Sequence, residues 1–253
     1  MREIFGPLTK PINGYTKLWE DDISQKDYER NKKELGPDWY YYDKKITFKY
    51  NSNGFRAPEF DTIDWANSVV IFGDSYTAGD GNAIEDIATT LLQDILKMPV
   101  INLGASGTGI DYSCWNSLLL HESYPRPRAI VQLWSSIHRY GEFSRNPSVG
   151  DGNGSSYTHH LPGDPRPIFG RSQYCARDHN WLERNKMYVL ADRVLWKDKL
   201  PYYEASVFDV TAEELEVDFL IHRDYGRDLD HWGPKSNIEA ANIIAKNLKK
   251  QGV

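Results

Sequence analysis

The sequence has little cysteine and no long apolar run. Cys114 and Cys175 are its only cysteines, which excludes a disulfide framework, and we expect both to be free thiols. No stretch approaches the roughly 20 apolar residues that a membrane-spanning helix needs, and the first residues lack the apolar core of a signal peptide. We therefore expect no membrane partner and, by default, a cytoplasmic location.

Basic residues are also in short supply. The chain of 253 residues has 30 lysines and arginines against 36 aspartates and glutamates, and the basic residues are scattered. Nucleic acid is therefore not an expected partner. His159 and His160 are adjacent but have no carboxylate or cysteine at metal-binding spacing, and the glycine fingerprint of dinucleotide sites is absent. The sequence implies no metal and no other cofactor.

A serine lies where a predicted buried strand turns into a predicted helix. The apolar run 68–72 leads into Gly73, Asp74 and Ser75, and apolar residues recur at helical spacing over 84–95. A serine in such a turn exposes its hydroxyl, and the N–H groups that enter the helix can stabilise developing negative charge. The alternative is an ordinary turn that uses Gly, Asp and Ser for their turn chemistry.

A second segment supplies the groups that a serine nucleophile needs. Asp228 and His231 lie three residues apart just ahead of the last predicted helix. A histidine can take the serine proton, and an aspartate behind it can orient the ring and stabilise the imidazolium. Asp230 adjoins His231 and is expected to point elsewhere. The alternative is a charged surface loop that only solvates the approach to the helix.

In order and spacing, these segments resemble the sequence blocks of the SGNH or GDSL hydrolase superfamily over roughly residues 66–250. The resemblance implies that Ser75 is the nucleophile, with His231 as base and Asp228 as orienting carboxylate. It also implies an oxyanion hole formed by the N–H groups of Ser75 and of Gly104, which follows the second strand. The family asparagine after the third strand is missing, and Ser136 stands in its place as a hydroxyl donor.

Alternating strands and helices predict an α/β fold with a doubly wound parallel sheet. The resemblance implies a flavodoxin-like three-layer sandwich. Apolar spacing predicts a fourth strand over 205–210. It also predicts two later helices, whose marker residues are Trp181, Met187, Leu190, Ala191 and Val194 in the first and Ile238, Ala241, Ile244, Ala245 and Leu248 in the second.

The domain organisation predicted from the sequence is an N-terminal extension, residues 1–62, packed on a catalytic domain, residues 63–253. Within the extension, the segments 39–42 and 46–50 predict a β-hairpin, with Ile46, Phe48 and Tyr50 on one face. Residues 140–177 are rich in Gly, Pro, Ser and Asn and predict a long irregular insertion at the active site.

The function predicted is a serine esterase that hydrolyses a small acyl ester, with an O-acetylated carbohydrate as the suggested substrate, through a covalent acyl-enzyme. One alternative is an O-acetyltransferase that uses the same acyl-enzyme with a sugar hydroxyl as acceptor. A second is a non-catalytic glycan-binding or structural protein, including a virion component, that keeps the fold. The absent asparagine supports this second alternative.

Overall fold

The computed structural model describes residues 16–17, 24–144, 156–160 and 178–253. The strands are β1 (Thr16–Lys17), β2 (Phe48–Lys49), β3 (Val69–Gly73), β4 (Val100–Gly104), β5 (Ala129–Trp134), β6 (Tyr140–Ser144), β7 (Ser156–His160), β8 (Tyr202–Ser206) and β9 (Asp218–Phe219). The helices are α1 (Gln25–Leu35), α2 (Ser75–Ala78), α3 (Ala88–Leu96), α4 (Ile110–Ser123), α5 (Asp178–Trp196), α6 (Asp209–Leu215) and α7 (Pro234–Lys250).

The central sheet is parallel and has the strand order β4-β3-β5-β8-β9. The first strand of the unit therefore lies inside the sheet, between the second and the third, which is the flavodoxin-like order. The predicted α/β fold class is confirmed. Gly73 at the end of β3 pairs with Gly104 on one side and Leu133 on the other, so three strand ends meet at one edge.

Side chains of β3 alternate between two buried cores. Val69 and Ile71 belong to the core beneath α3 and α7, whereas Val70 and Phe72 belong to the core beneath α4 and the end of α5. This alternation follows from the two-residue period of a strand. Because β3 is buried on both faces, its sequence is a continuous apolar run, and the helices form the outer layers of the sandwich.

Two elements differ from their predicted bounds. The helix expected over 84–95 begins only at Ala88, because Ile87 before it is extended, with φ −80° and ψ 148°. Gly79, with a φ of 79°, ends the single turn of α2. Ile84 lies in a short 3-10 turn and is exposed. The fourth strand is β8, which ends at Ser206, so the predicted range 205–210 lies too late in the chain.

The predicted N-terminal hairpin is wrong. β2 pairs with β1 rather than with 39–42, which form turns. The Tyr28 hydroxyl lies 2.9 Å from the carbonyl oxygen of Tyr41 and 2.7 Å from that of Tyr42, so these carbonyls accept a side-chain donor instead of a strand partner. The expected face of 46–50 is correct, since its alternate residues are buried.

Helix α1 was not expected from apolar spacing, because only two of its residues are buried. Its end signals are nevertheless in the sequence. The Ser24 hydroxyl accepts the N–H of Asp27 at 3.1 Å, and Gly36 follows the last turn with a φ of 75°.

The extension contacts the loop that follows α2. Arg56 donates from Nη1 to the carbonyl oxygen of Gly79 at 2.8 Å and from Nη2 to that of Asn82 at 3.2 Å. The Tyr41 hydroxyl donates to Asn82 Oδ1 at 2.8 Å. These bonds join the extension to residues 79–82, which follow α2. The division at residues 62 and 63 stays a prediction.

The predicted irregular insertion contains regular structure. β6 and β7 form an antiparallel pair, with Tyr140 opposite His160 and Ser144 opposite Ser156. Their sequences alternate too little between apolar and polar residues to signal strands, so the expectation of a wholly irregular segment is wrong. The rest of the predicted insertion, 145–155 and 161–177, lies outside the described residues.

The predicted helix over 181–194 is present as α5, but its buried face differs from the expected one. Trp181 is buried as expected, whereas Met187, Leu190, Ala191 and Val194 are exposed. In α7 the expected stripe is buried except for Ile238.

Candidate active site

Ser75 lies at the carboxyl end of β3, as the first residue of α2. The side chain of Asp74 caps this turn, because its Oδ1 accepts the N–H of Tyr76 at 3.1 Å. Helix N-terminal N–H groups have no acceptor within the helix, and they carry partial positive charge. The turn therefore holds the serine hydroxyl beside donors suited to an oxyanion.

The structure brings Ser75, His231 and Asp228 into one hydrogen-bonded chain. His231 Nε2 lies 2.7 Å from Ser75 Oγ, and His231 Nδ1 lies 2.6 Å from Asp228 Oδ2. Asp228 Oδ1 also accepts the N–H groups of Asp230 at 3.0 Å and His231 at 3.1 Å. The side chain of Asp230 is exposed and does not enter the chain. Three of the residues singled out in the sequence thus meet at one point.

The contacts of the ring fix its tautomer. An ionised carboxylate only accepts hydrogen bonds, so the ring nitrogen facing Asp228 must carry a proton. In the neutral ring, Nε2 then has a free lone pair that accepts the hydroxyl proton of Ser75. This is the arrangement in which a histidine acts as a general base toward a serine.

Charge around the ring shifts the pKa of both His231 and Asp228. Burial disfavours the charged imidazolium, but the hydrogen bond and charge of Asp228, with the charges of Asp80 and Asp74, outweigh burial and raise the pKa of His231 to about 9. For Asp228, burial disfavours the charged carboxylate and raises the pKa. The hydrogen bonds of Asp228 with His231 and with the N–H of Asp230 outweigh burial and hold this pKa below the ordinary value. An ionised Asp228 and a readily protonated His231 result.

The loop that carries this pair is held by backbone bonds. The Gly226 N–H donates to the carbonyl of His231 at 2.8 Å. Gly81 allows Asp228 to approach: its φ is 72°, and a Cβ there would lie 2.9 Å from Asp228 Oδ1. Leu229, between the two partners, adopts a left-handed φ of 61°, which is costly for a leucine.

On the oxyanion side, Gly104 differs from its predicted role. Its N–H donates to Asn102 Oδ1 at 2.9 Å and is not free for a substrate. The glycine serves close packing instead, since a Cβ there would lie 2.4 Å from the N of Ala78. Gly107 lies in the following turn with a φ of 76°, and its N–H has no acceptor among the described residues. Spacing from the strand suits either glycine, so only the structure separates them.

Ser136 lies just beyond β5, beside the end of β3. Its neighbour Ser135 donates from Oγ to Asp74 Oδ2 at 2.8 Å, which ties this corner to the turn that carries Ser75. Ser136 is partly exposed, and its hydroxyl has no hydrogen-bond partner in the part of the chain that the structure describes. It is therefore available to an incoming group.

Arg139 also belongs to this corner. Its Nη1 lies 3.3 Å from Asp74 Oδ2, 3.0 Å from the carbonyl oxygen of Thr108 and 3.2 Å from Ser135 Oγ. Asp74 and Thr108 lie 65 and 31 residues from Arg139 in the sequence, so no local pattern could have indicated these contacts. The arginine offsets part of the negative charge next to Ser75.

Aromatic rings extend from His231 toward the surface. The Tyr76 ring lies 4.9 Å from the His231 ring and 6.3 Å from that of His222. His222 in turn contacts Tyr225, with ring centroids 4.4 Å apart, and Tyr225 is 56% exposed. Phe208 contacts Tyr76 from another side. We call Tyr76, His222 and Tyr225 the aromatic row.

The described residues offer neither a metal site nor a membrane-spanning helix. They contain no group of three or more His, Cys, Asp or Glu side chains placed to hold a metal ion. Nor does any helix in the described ranges have the length and apolarity to cross a membrane.

No family model and no curated protein matches the chain, but solved structures do. A member of the lipolytic protein G-D-S-L family from Veillonella parvula is 11% identical, with a TM-score of 0.41 over 69% of this chain and 94% of that one. An acetyl xylan esterase from Butyrivibrio proteoclasticus is 12% identical, with a TM-score of 0.46 over 82% and 67%. A carbohydrate esterase family 2 enzyme from Corynascus thermopiles is also 12% identical, with a TM-score of 0.46 over 81% and 70%.

Many of the matched structures carry the names of GDSL or SGNH hydrolases and esterases, the superfamily that the sequence blocks resemble. Similarity at this level concerns the fold and does not extend to activity. The function proposed below therefore follows from the geometry of the site.

Proposed function

We propose that this chain is a serine esterase that cleaves a small acyl ester through a covalent acyl-enzyme. The observation that supports it is the unbroken chain from Ser75 Oγ through His231 to Asp228, with contacts of 2.7 and 2.6 Å. A serine hydroxyl is a poor nucleophile without a base, and this chain provides one. A binding protein has no need of a histidine oriented in this way.

In the proposed reaction, Ser75 Oγ attacks the ester carbonyl carbon while His231 Nε2 takes its proton. Asp228 stabilises the imidazolium that forms. The tetrahedral intermediate collapses when Nε2 returns the proton to the leaving alkoxide, which departs as an alcohol. Water then attacks the acyl carbon, Nε2 accepts a proton from it, and Ser75 leaves with that proton as the free acid is released.

For the oxyanion we propose the N–H groups of Ser75 and Gly107 and the hydroxyl of Ser136. The first two are donors without an acceptor at the start of a helix and in a tight turn. Ser136 lies in the corner joined to Asp74 through Ser135. Fixed donors of this kind are among the largest contributions to acyl-transfer catalysis. Gly104 has no part in this set.

A fluorophosphonate probe tests the proposal directly. We expect a single stoichiometric adduct, mapped by peptide mass spectrometry to Ser75, and loss of p-nitrophenyl acetate hydrolysis in step with labelling. The Ser75→Ala variant should take up no probe. Absence of labelling in a protein that unfolds cooperatively would contradict an activated serine and favour a non-catalytic role.

The aromatic row supports a carbohydrate as the alcohol part of the ester. It begins at Tyr76, whose ring contacts His231, the residue that must reach the leaving oxygen, and it ends at the exposed Tyr225. Aromatic faces offer flat, amphipathic contact area for a sugar ring. The same surface would hold a sugar acceptor, so an O-acetyltransferase that uses this acyl-enzyme is the second candidate.

Kinetics with two substrates separate these roles. Tyr225→Ala should raise KM for an acetylated oligosaccharide while leaving p-nitrophenyl acetate hydrolysis unchanged. A second assay adds an unacetylated oligosaccharide to the p-nitrophenyl acetate reaction. Accumulation of acetylated sugar instead of acetate would identify the transferase, whereas release of acetate alone would identify the esterase.

A further inference from the structure

The buried face of α5 carries two polar residues beside apolar ones. Asn185 donates from Nδ2 to the carbonyl oxygen of Ile137 at 2.6 Å. Asp192 accepts hydrogen bonds from the hydroxyls of Ser117 and of Tyr202, the latter at 2.9 Å. These groups are buried, and α5 is anchored to its neighbours by hydrogen bonds as well as by packing.

The outward face of α5 is apolar. Met187 is 70% exposed, Leu190 60% and Val194 71%. Spacings of three and four residues place them on one side of a helix with 3.6 residues per turn. Glu183 continues the same line at one end. Lys197, the first residue after α5, continues it at the other, since its N–H still donates to the carbonyl of Arg193 at 2.9 Å. Both side chains are mostly exposed. We call these five residues the α5 stripe.

The α5 stripe is symmetric about its centre. Glu183 and Lys197 are each seven residues from Leu190, and Met187 and Val194 are three and four residues from it. If two such helices lie antiparallel with Leu190 at the crossing point, Met187 of each copy meets Val194 of the other. Glu183 of each then meets Lys197 of the other, so both ends of the contact pair opposite charges.

We propose that two copies of this chain pair through their α5 stripes, antiparallel and about a two-fold axis. Such an interface is isologous, which requires a self-complementary surface. A parallel pair would place Glu183 against Glu183 and Lys197 against Lys197, so the charges select the antiparallel orientation. An exposed apolar row with polar ends is typical of a protein interaction site.

The existing ion pairs of the end residues leave room for a partner. Glu183 lies 3.9 Å from Lys186, which has a shorter contact of 2.8 Å with Glu214. Lys197 lies 3.7 Å from Glu204, which Arg193 already holds at 2.8 Å. Both contacts are long, and the side chains of Glu183 and Lys197 are mostly exposed, so such pairs contribute little to stability. Replacing these two ion pairs by pairs with the second copy therefore costs little free energy.

Sedimentation velocity of the whole chain over a concentration series tests the pairing. We expect the wild type to sediment as a dimer at about 50 µM and to dissociate on dilution, as mass action requires. Leu190→Glu should sediment as a monomer while keeping its helical circular dichroism, because Leu190 is 60% exposed and a glutamate there stays in contact with water. The matched control is Ile238→Glu on α7, where the apolar residue is 48% exposed, and it should remain a dimer.

Charge reversal tests the orientation. Glu183→Lys alone and Lys197→Glu alone should each weaken the dimer by about tenfold or more at low salt, and the double variant should restore it. A wild type that is monomeric at every concentration would overturn the proposal. So would a Leu190→Glu variant that stays dimeric, or a double variant no tighter than the single ones. Ser75→Ala should dimerise like the wild type, which separates this inference from the proposed function.

Discussion

The two sides of the candidate active site differ in how completely the chain builds them. On the side of the base, Ser75, His231 and Asp228 are joined by contacts of 2.6 and 2.7 Å, and backbone bonds hold the loop that carries the last two. On the oxyanion side, the N–H of Gly104 is engaged by Asn102, and a serine occupies the position of an expected asparagine.

This difference indicates which part of the reaction each side limits. The base side holds a nucleophile and its base in contact, whereas the oxyanion side offers N–H groups in two turns and one short hydroxyl. Loss of a member of the base side should therefore remove the reaction, and changes on the oxyanion side should scale its rate.

Removal of the nucleophile or the base should have the largest effect. We expect Ser75→Ala and His231→Ala each to lower kcat for p-nitrophenyl acetate by roughly 10⁶-fold, as in a comparable serine hydrolase. The double variant should be no worse than either single one, because the two residues handle one proton in series. A double loss near the product of the two single losses would show that they act separately.

The orienting carboxylate should matter less than the base. Asp228→Asn should lower kcat by about 10⁴-fold, since the ring keeps its position but loses the proper tautomer and charge. The matched control is Asp230→Asn two residues away, which is exposed and should stay within a few-fold of the wild type. If Asp230→Asn were the more damaging change, the carboxylate assignment would be reversed.

On the oxyanion side, Ser136→Ala should lower kcat by about 10²-fold with little change in KM, as expected for one lost donor. Ser136→Thr keeps a hydroxyl and should retain most of the rate. Ser136→Asn places a longer donor at the same position and should raise the rate if reach is limiting. A kcat for Ser136→Ala within a few-fold of the wild type would leave the hole to backbone N–H groups alone.

The charge around His231 predicts an alkaline reaction. The base must be neutral, and its pKa in the free protein is about 9, so kcat/KM should rise about tenfold per pH unit toward pH 9 and then level off. Asp228→Asn removes the charge that most stabilises the imidazolium of His231. The pH profile of the remaining activity should therefore move to lower pH. A profile of the wild type that levels off near pH 6.5 would contradict the effect of Asp228.

The same shift predicts how stability depends on pH. The folded pKa of His231 lies above its unfolded value of about 6.5. The stability that this residue contributes is therefore fully present below pH 6.5 and is lost as the pH rises through about 9. Urea unfolding of the wild type should show this decline, and His231→Gln should show less of it.

The sequence could indicate the base side because its signals are local. The strand, the turn and Ser75 are contiguous, and Asp228 and His231 are three residues apart. The oxyanion side could not be resolved in the same way. Gly104 and Gly107 both follow the second strand, and the choice between them depends on a hydrogen bond from Gly104 to Asn102 and on a backbone φ.

The same limit applies to the helices. Apolar spacing correctly predicted the presence of α5 and α7, but only in α7 does the apolar stripe face the core. In α5 the buried positions include Asn185 and Asp192, which satisfy polar groups of neighbouring elements. Because those partners come from distant segments, periodicity within the helix cannot show which face is buried.

The smallest expected effect concerns the backbone of the base side. Leu229 and Lys97 both have left-handed φ angles, 61° and 56°, but Lys97 ends α3 away from the site. Glycine removes a steric cost of about 1–2 kcal/mol in this conformation and adds an entropic cost of roughly 0.5–1 kcal/mol. Lys97→Gly should therefore raise the free energy of unfolding in urea by about 0.5–1 kcal/mol.

Leu229→Gly should raise the free energy of unfolding by less than Lys97→Gly does. The leucine side chain is only 38% exposed, and the stability from its partial burial is lost. It should also lower kcat by a few-fold, since a freer residue between Asp228 and His231 loosens their spacing, whereas Lys97→Gly should leave kcat unchanged. Equal gains in stability with equal kinetics would mean that the leucine contributes nothing to the loop. A larger loss of kcat in Lys97→Gly than in Leu229→Gly would contradict the assignment of this strain to the base side.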